Sequence, residues 1–76
     1  MTQRYMQEVH GVVFSVPPFD HLNVRAMPSA TSDVMTQIDD GAVITVLGEE
    51  MTDRTKWLMV TVGDKTGWVN AKYVKI

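Results

Sequence analysis

The chain has no cysteine among its 76 residues, so no disulfide can brace it. That excludes a disulfide-stapled secreted scaffold but leaves the compartment open. No apolar run approaches the ~20 residues that cross a bilayer, and no segment carries the spacing of a long amphipathic helix. There is no internal repeat and no low-complexity tract. A surplus of one charge is also missing: seven basic residues stand against nine acidic ones, for a net charge of −2. The cations Arg4, Arg25, Arg54, Lys56, Lys65, Lys72 and Lys75 are scattered among acids. Binding to nucleic acid needs a clustered basic face, and so does docking on an anionic membrane; neither is expected.

The opening residues, Met1 to Glu8, contain one arginine and no apolar core of a signal peptide. Three expectations follow: an intracellular chain, export by another route, or a segment of a longer protein that is exported to the cell wall. What is present is 45% aliphatic and aromatic content, as in an ordered globule. At this length a single domain is expected, with modest burial and marginal stability.

Residues 1–10 read as a tail or a short extra element, in which Tyr5, Met6 and Val9 could share one face of a helical turn. The domain proper is expected over 11–76. Gly11 to Val16 reads as a first strand stopped by Pro17-Pro18, since proline cannot donate to a ladder; Pro17 to His21 is then a stiff loop. Leu22 to Ala26 alternates as a half-buried strand. Met27 to Asp33 is a long irregular loop, Val34 to Ile38 a short strand or arm, and Asp39-Asp40-Gly41 a turn signal of the Asp-Gly type. Ala42 to Gly48 is the strongest strand, with Ile44 and Val46 facing one way and Val43, Thr45 and Leu47 the other. Glu49 to Thr55 reads as a polar loop. Trp57 to Val62 is a strand with Leu58, Val60 and Val62 on one face, Gly63-Asp64-Lys65 a tight turn, Thr66 to Asn70 the returning strand, and Tyr73 to Ile76 the closing one. Five or six short strands separated by turns indicate a small all-β barrel or sandwich, closed so that no edge is exposed.

The order Leu22-Asn23-Val24-Arg25, Pro28-Ser29, Gly41 before Ile44-Thr45-Val46-Leu47-Gly48, Trp57, and Gly67-Trp68-Val69 with Tyr73-Val74 resembles the bacterial Src-homology-3 family over about residues 12–76. The resemblance implies an all-β, five- to six-stranded SH3-like barrel. It aligns Trp57 and Tyr73 with aromatics of the peptide-binding shelf of eukaryotic SH3 domains. The chain departs from that pattern where Asn70 stands near the turn proline, and in lacking the Ala-Leu-Tyr-Asp-Tyr motif, with no tyrosine between Leu22 and Ser32. Half of the polyproline-reading surface is therefore missing. The bacterial family occurs as appendages on cell-wall hydrolases, so the resemblance implies a targeting module that binds peptidoglycan peptides.

The candidate ligand-binding residues are Trp57, Tyr73, Asn70, Asn23 and Trp68. Trp57 reads either as an exposed aromatic platform beside Tyr73 or as a cover on the barrel; Trp68 reads mainly as a cover. The Tyr73 hydroxyl suits a peptide carbonyl, or is an ordinary turn tyrosine. Asn23 and Arg25 point outward, and Arg25 is expected to pair with Asp33 or Asp39. His10 and His21, with Glu8 or Asp20, lack the spacing of a metal site, and no cofactor is expected. Ser15, Ser29 and Ser32 lie in no nucleophile-elbow context; Asp39-Asp40 and Glu49-Glu50 read as solvated turn acids. Met35 and Met59 are expected at the core margin, and Met27 and Met51 on loops as an adaptable surface. The expected role is thus a non-catalytic, monomeric binding module for cell-wall peptides; the alternative is a stand-alone protein–protein interaction domain of a phage or intracellular bacterial protein.

Overall fold

A computed structural model describes residues 3–14 and 21–76. The strands are β1 (Gln3–Val13), β2 (His21–Arg25), β3 (Val34–Asp39), β4 (Val43–Thr52), β5 (Thr55–Val62), β6 (Lys65–Asn70) and β7 (Val74–Lys75), with a 3₁₀ turn at Ala71–Tyr73. They form one antiparallel sheet in the order β3-β2-β6-β5-β4-β1-β7. The 3₁₀ turn carries the chain from β6, in the middle of that order, to β7 at its edge, which is possible only because the sheet curls on itself.

The curl encloses a single interior to which every strand contributes. Val13, Leu22, Val24, Ile38, Ile44, Val46, Leu58, Val60, Val69 and Val74 form the buried cluster, and no buried side chain among the described residues is polar. The alternation read in β4 holds: Ile44 and Val46 are buried while Val43 is 65% exposed. At roughly 25 cal/mol per Å² of apolar surface, this lining is the main stabilising term. Gly67 lets the corner close. A Cβ there would lie 2.6 Å from a Val24 methyl and 2.8 Å from the Arg25 carbonyl oxygen, so β6 can approach β2 only without a side chain at this position.

Several expectations are corrected. Among the described residues there are seven strands rather than five or six. Among them the sheet curls without hydrogen-bonded closure, because β3 and β7 each have one neighbour. Residues 3–10 are strand, not a helical turn or loose tail: β1 pairs with β4 from Gln3↔Glu49 to Val12↔Val43. Half-buried Tyr5 and Val9 pack on the core cluster from this strand, with a spacing of four that a helix and a strand can both satisfy. β1 ends at Val13, one residue before Phe14; Ser15 and Val16 of the expected strand and the loop expected over Pro17 to Asp20 lie outside the described residues. His21 already belongs to β2.

The Asp39-Asp40-Gly41 segment does turn. The Ala42 N–H donates to the Asp39 carbonyl at 3.2 Å, and Gly41 has φ +85°, the pattern of a type II turn. It leads from β3 to β4, which lie far apart in the sheet. The expected polar loop over Glu49 to Thr55 is instead the end of one hairpin. β4 runs to Thr52, β5 starts at Thr55, and the pairing Thr52↔Thr55 leaves a two-residue turn, Asp53-Arg54. Leu47 falls at the irregularity of both β4 ladders. A bulge of this kind bends a strand and lets β4 serve the β1 side and the β5 side of the curl.

Candidate functional site

Register places four of the five candidate residues on one face. Directly paired residues of an antiparallel ladder project to the same side. Trp57 pairs with Asn70, and Met59 with Trp68; Arg25 pairs with Trp68; Asn23 lies two residues from Arg25 on β2. Trp57, Asn70, Trp68 and Asn23 therefore share the outer face, opposite the core lining. Tyr73 stands apart, on the 3₁₀ turn, half-buried and packed against the core cluster.

Trp57 is not an exposed platform. It is 5% exposed, yet it takes no part in the core cluster. The loop 26–33 reaches the same side of the hairpin. The Thr52 hydroxyl donates to the Pro28 carbonyl at 2.9 Å, and Thr52, two residues from Glu50 and paired with Thr55, shares the face of Trp57. The loop is thus fastened over the hairpin end on the same side as the indole. It is also tied internally. The Ala26 N–H donates to the Asp33 carbonyl at 2.9 Å. The Ser32 hydroxyl lies 2.9 Å from the Met27 carbonyl oxygen and 2.8 Å from that of Ser29. Arg25 Nη1 donates to the Ser32 carbonyl at 2.8 Å. The guanidinium expected to meet Asp33 or Asp39 therefore holds a loop carbonyl instead.

Trp68 is half-buried in the middle of β6 and is the more accessible indole of the outer face. Asn70 ends β6 and caps the following turn, its Oδ1 accepting from the Lys72 N–H at 3.0 Å; the carboxamide NH₂ remains as a donor. Asn23 Oδ1 accepts from Gln37 Nε2 at 2.9 Å across the β2–β3 ladder. The Tyr73 carbonyl accepts from the Phe14 N–H at 3.0 Å, and the Lys72 ammonium stands 5.8 Å from the Tyr73 ring centroid, within reach of a cation–π contact. Met27 is 61% exposed on the loop, as expected; Met51 is 63% exposed but belongs to β4 rather than a loop. Met59 is half-buried, whereas Met35, expected at the core margin, is 40% exposed. Sequence reasoning missed Thr52 and Ser32, whose roles depend on where a loop lands and carry no local signal.

Near the turn of the β4–β5 hairpin, on the face opposite Trp57, Lys56 Nζ lies 2.6 Å from Glu49 Oε2. The hydrogen bond to Glu49 raises the Lys56 pKa above its ordinary value. Burial, and then the Glu49 charge, raise the Tyr5 phenol. His21 Nδ1 lies 2.7 Å from Asp39 Oδ1, and among the described residues no three His, Asp or Glu side chains could together hold a metal ion.

Short antiparallel strands curled round one apolar lining, with a 3₁₀ turn before the last strand, define an SH3-like barrel. Residues 20–75 match the bacterial SH3 domain family, and the chain belongs to it. No curated protein and no solved structure gives a match. SH3 domains are protein- and peptide-interaction modules. β1 precedes the matched span.

Proposed function

We propose that the chain is a non-catalytic module that recognises cell-wall peptides and so brings a partner domain to the cell wall. The observation that carries the reading is the family match over residues 20–75, the span that supplies the outer face with Trp68, Asn70 and Asn23. A half-buried indole gives a flat apolar surface at low entropic cost. The Asn70 NH₂ beside it is a donor for a peptide carbonyl, and Tyr73 stands at the adjoining turn. Trp57, on the same face but 5% exposed, serves the scaffold rather than the ligand. Affinity of the isolated module is expected to be weak, with tethering to a partner domain raising it through effective concentration.

The test is sedimentation with purified peptidoglycan against a cellulose control. Enrichment on peptidoglycan that Trp68→Ala abolishes, with circular dichroism unchanged, is the expected result; equal recovery on both matrices removes the cell-wall assignment. A second reading, a protein–protein interaction unit, is favoured by one observation. Val12 and Val43 pair on the outer face at 43% and 65% exposure, beside Phe14 at 43%, an apolar strip of the kind that marks contact surfaces. Loss of protein binding on Val43→Lys, with peptidoglycan recovery equal to cellulose, would select this second reading.

A further inference from the structure

β1 breaks its ladder with β4 in the middle. Arg4 pairs with Gly48 and the next pair is Val9↔Val46, so Tyr5, Met6, Gln7 and Glu8 stand against the single Leu47. On its other side β1 meets β7 only at Val12 and Val13. Among the described residues, the segment 5–8 thus has no strand partner on either side. Such an edge offers unpaired N–H and C=O groups to another strand. It holds no proline and no lysine, and it forms part of a strand of 11 residues; its protection is the register break itself and the charges of Arg4 and Glu8, which deter an unrelated edge.

The side chains add a second observation. Tyr5 and Val9 turn inward and pack on the core. Arg4, Met6 and Glu8, at alternate positions, face solvent, and Met6 is 102% exposed. The exposed row therefore reads cation, apolar, anion, and is its own complement when reversed. An open groove of about 590 Å³ runs along Arg4, Tyr5, Met6, Val9 and Glu49, with room for an apolar side chain.

We propose that this edge pairs antiparallel with the same edge of a second copy, about a two-fold axis through Met6. Arg4 then stands opposite the partner's Glu8, and Glu8 opposite the partner's Arg4, with the two methionines meeting at the axis. A two-fold contact uses the same patch twice, so every charge change is felt at two pairs. The contact is one strand wide and the dimer is weak. It extends the β4-β1 side of the sheet and leaves the outer face around Trp68 free.

Sedimentation equilibrium of the whole chain up to millimolar concentration tests it, with circular dichroism as the fold control. The wild type is expected to dimerise reversibly. R4E and E8R, both at exposed positions, should each weaken the dimer about tenfold by setting like charges opposite one another at two sites, and the double swap R4E/E8R should restore it. The chain contains no cysteine, so Met6→Cys supplies a single thiol, which should form a disulfide-linked dimer under mild oxidation far faster than Asp53→Cys at the hairpin tip. A chain that stays monomeric overturns the proposal. So does a dimer indifferent to R4E, which would place the contact elsewhere, such as the Val12–Val43 strip. A folded double swap that fails to recover overturns the charge pairing on which the register rests.

Discussion

β5 is shared by two hairpins that both close with two-residue turns but by different means. In β5–β6 the turn is Gly63-Asp64 between Val62 and Lys65, with Gly63 at φ +62°. Glycine at the first central position is what a type II′ turn asks for, so the local chemistry specifies the turn. In β4–β5 the turn is Asp53-Arg54, and both residues have positive φ, 50° and 64°, the type I′ pattern without a glycine. A left-handed conformation costs a non-glycine residue roughly 1–2 kcal/mol. That hairpin is held from outside its turn, by burial of Trp57, by the Thr52–Pro28 bond and by the Glu49–Lys56 pair. One hairpin is specified locally, the other by tertiary anchors.

The largest effect should come from removing the main anchor. Trp57→Ala is expected to destabilise the domain by about 3–5 kcal/mol, a large share of what a chain this size possesses, as read by urea denaturation. Trp68→Ala, at a half-buried position on the same face, should lose less than half as much while removing ligand binding. Equal losses of stability at the two positions would mean that the loop 26–33 does not set the outer face apart into a covered and an open part.

The same contrast explains what could be read in advance. The period-2 alternation of β2, β4 and β5 and the turn at Gly63 are local patterns, and they matched the structure. The span 49–55 is polar, and its strand character comes from pairing with β5 rather than from propensity, so it reads as a loop although it holds no glycine, proline or asparagine to mark one. Residues 3–10 failed for a related reason: polar and apolar residues are mixed there, and Tyr5 and Val9 join the core only because β4 lies alongside. Within the site, the resemblance aligns Trp57 and Tyr73 with one aromatic shelf, whereas register groups Trp57 with Trp68 and Asn70 and leaves Tyr73 on the 3₁₀ turn. Whether Trp57 is covered is not legible, because cover is set by tertiary packing, and the one bond that fastens the neighbouring loop comes from Thr52, which looks like any surface threonine.

Smaller substitutions sharpen the contrast between the hairpins. Thr52→Val keeps the shape but strips the donor from the Pro28 carbonyl, and should cost about 1 kcal/mol. In a Trp68→Phe background it should also make Trp57 fluorescence more accessible to acrylamide, which a loop held by other means would not allow. At the turns the two hairpins should respond with opposite signs. Gly63→Ala places a Cβ at φ +62° and should destabilise by about 1 kcal/mol. Arg54→Gly relieves a non-glycine residue of the same conformation and should stabilise by roughly 0.5 kcal/mol, net of the entropy glycine adds to the unfolded chain. Destabilisation by Arg54→Gly would show that the arginine side chain itself contributes to the tip.

The smallest effect concerns pH and falls on the anchored hairpin alone. Lys56 has its pKa raised by the hydrogen bond to Glu49, and Tyr5 has its own raised by burial and then by the Glu49 charge. Both groups hold their protons more tightly folded than unfolded. Their contribution to stability is therefore complete below the ordinary values, 10.0 for tyrosine and 10.5 for lysine, and is lost as pH rises through the raised ones. Lys56 is 50% exposed, so solvent screening limits the contribution to a few tenths of a kcal/mol, or about 1–2 °C in Tm for a domain of this size. Tm should thus hold below pH 10 and fall above it. Lys56→Met should lower Tm near neutral pH and flatten part of the alkaline decline, leaving the part due to Tyr5. An alkaline decline unchanged in Lys56→Met would mean that the Glu49–Lys56 pair does not help to hold the β4–β5 hairpin, and that Trp57 and Thr52 hold it without that charge contact.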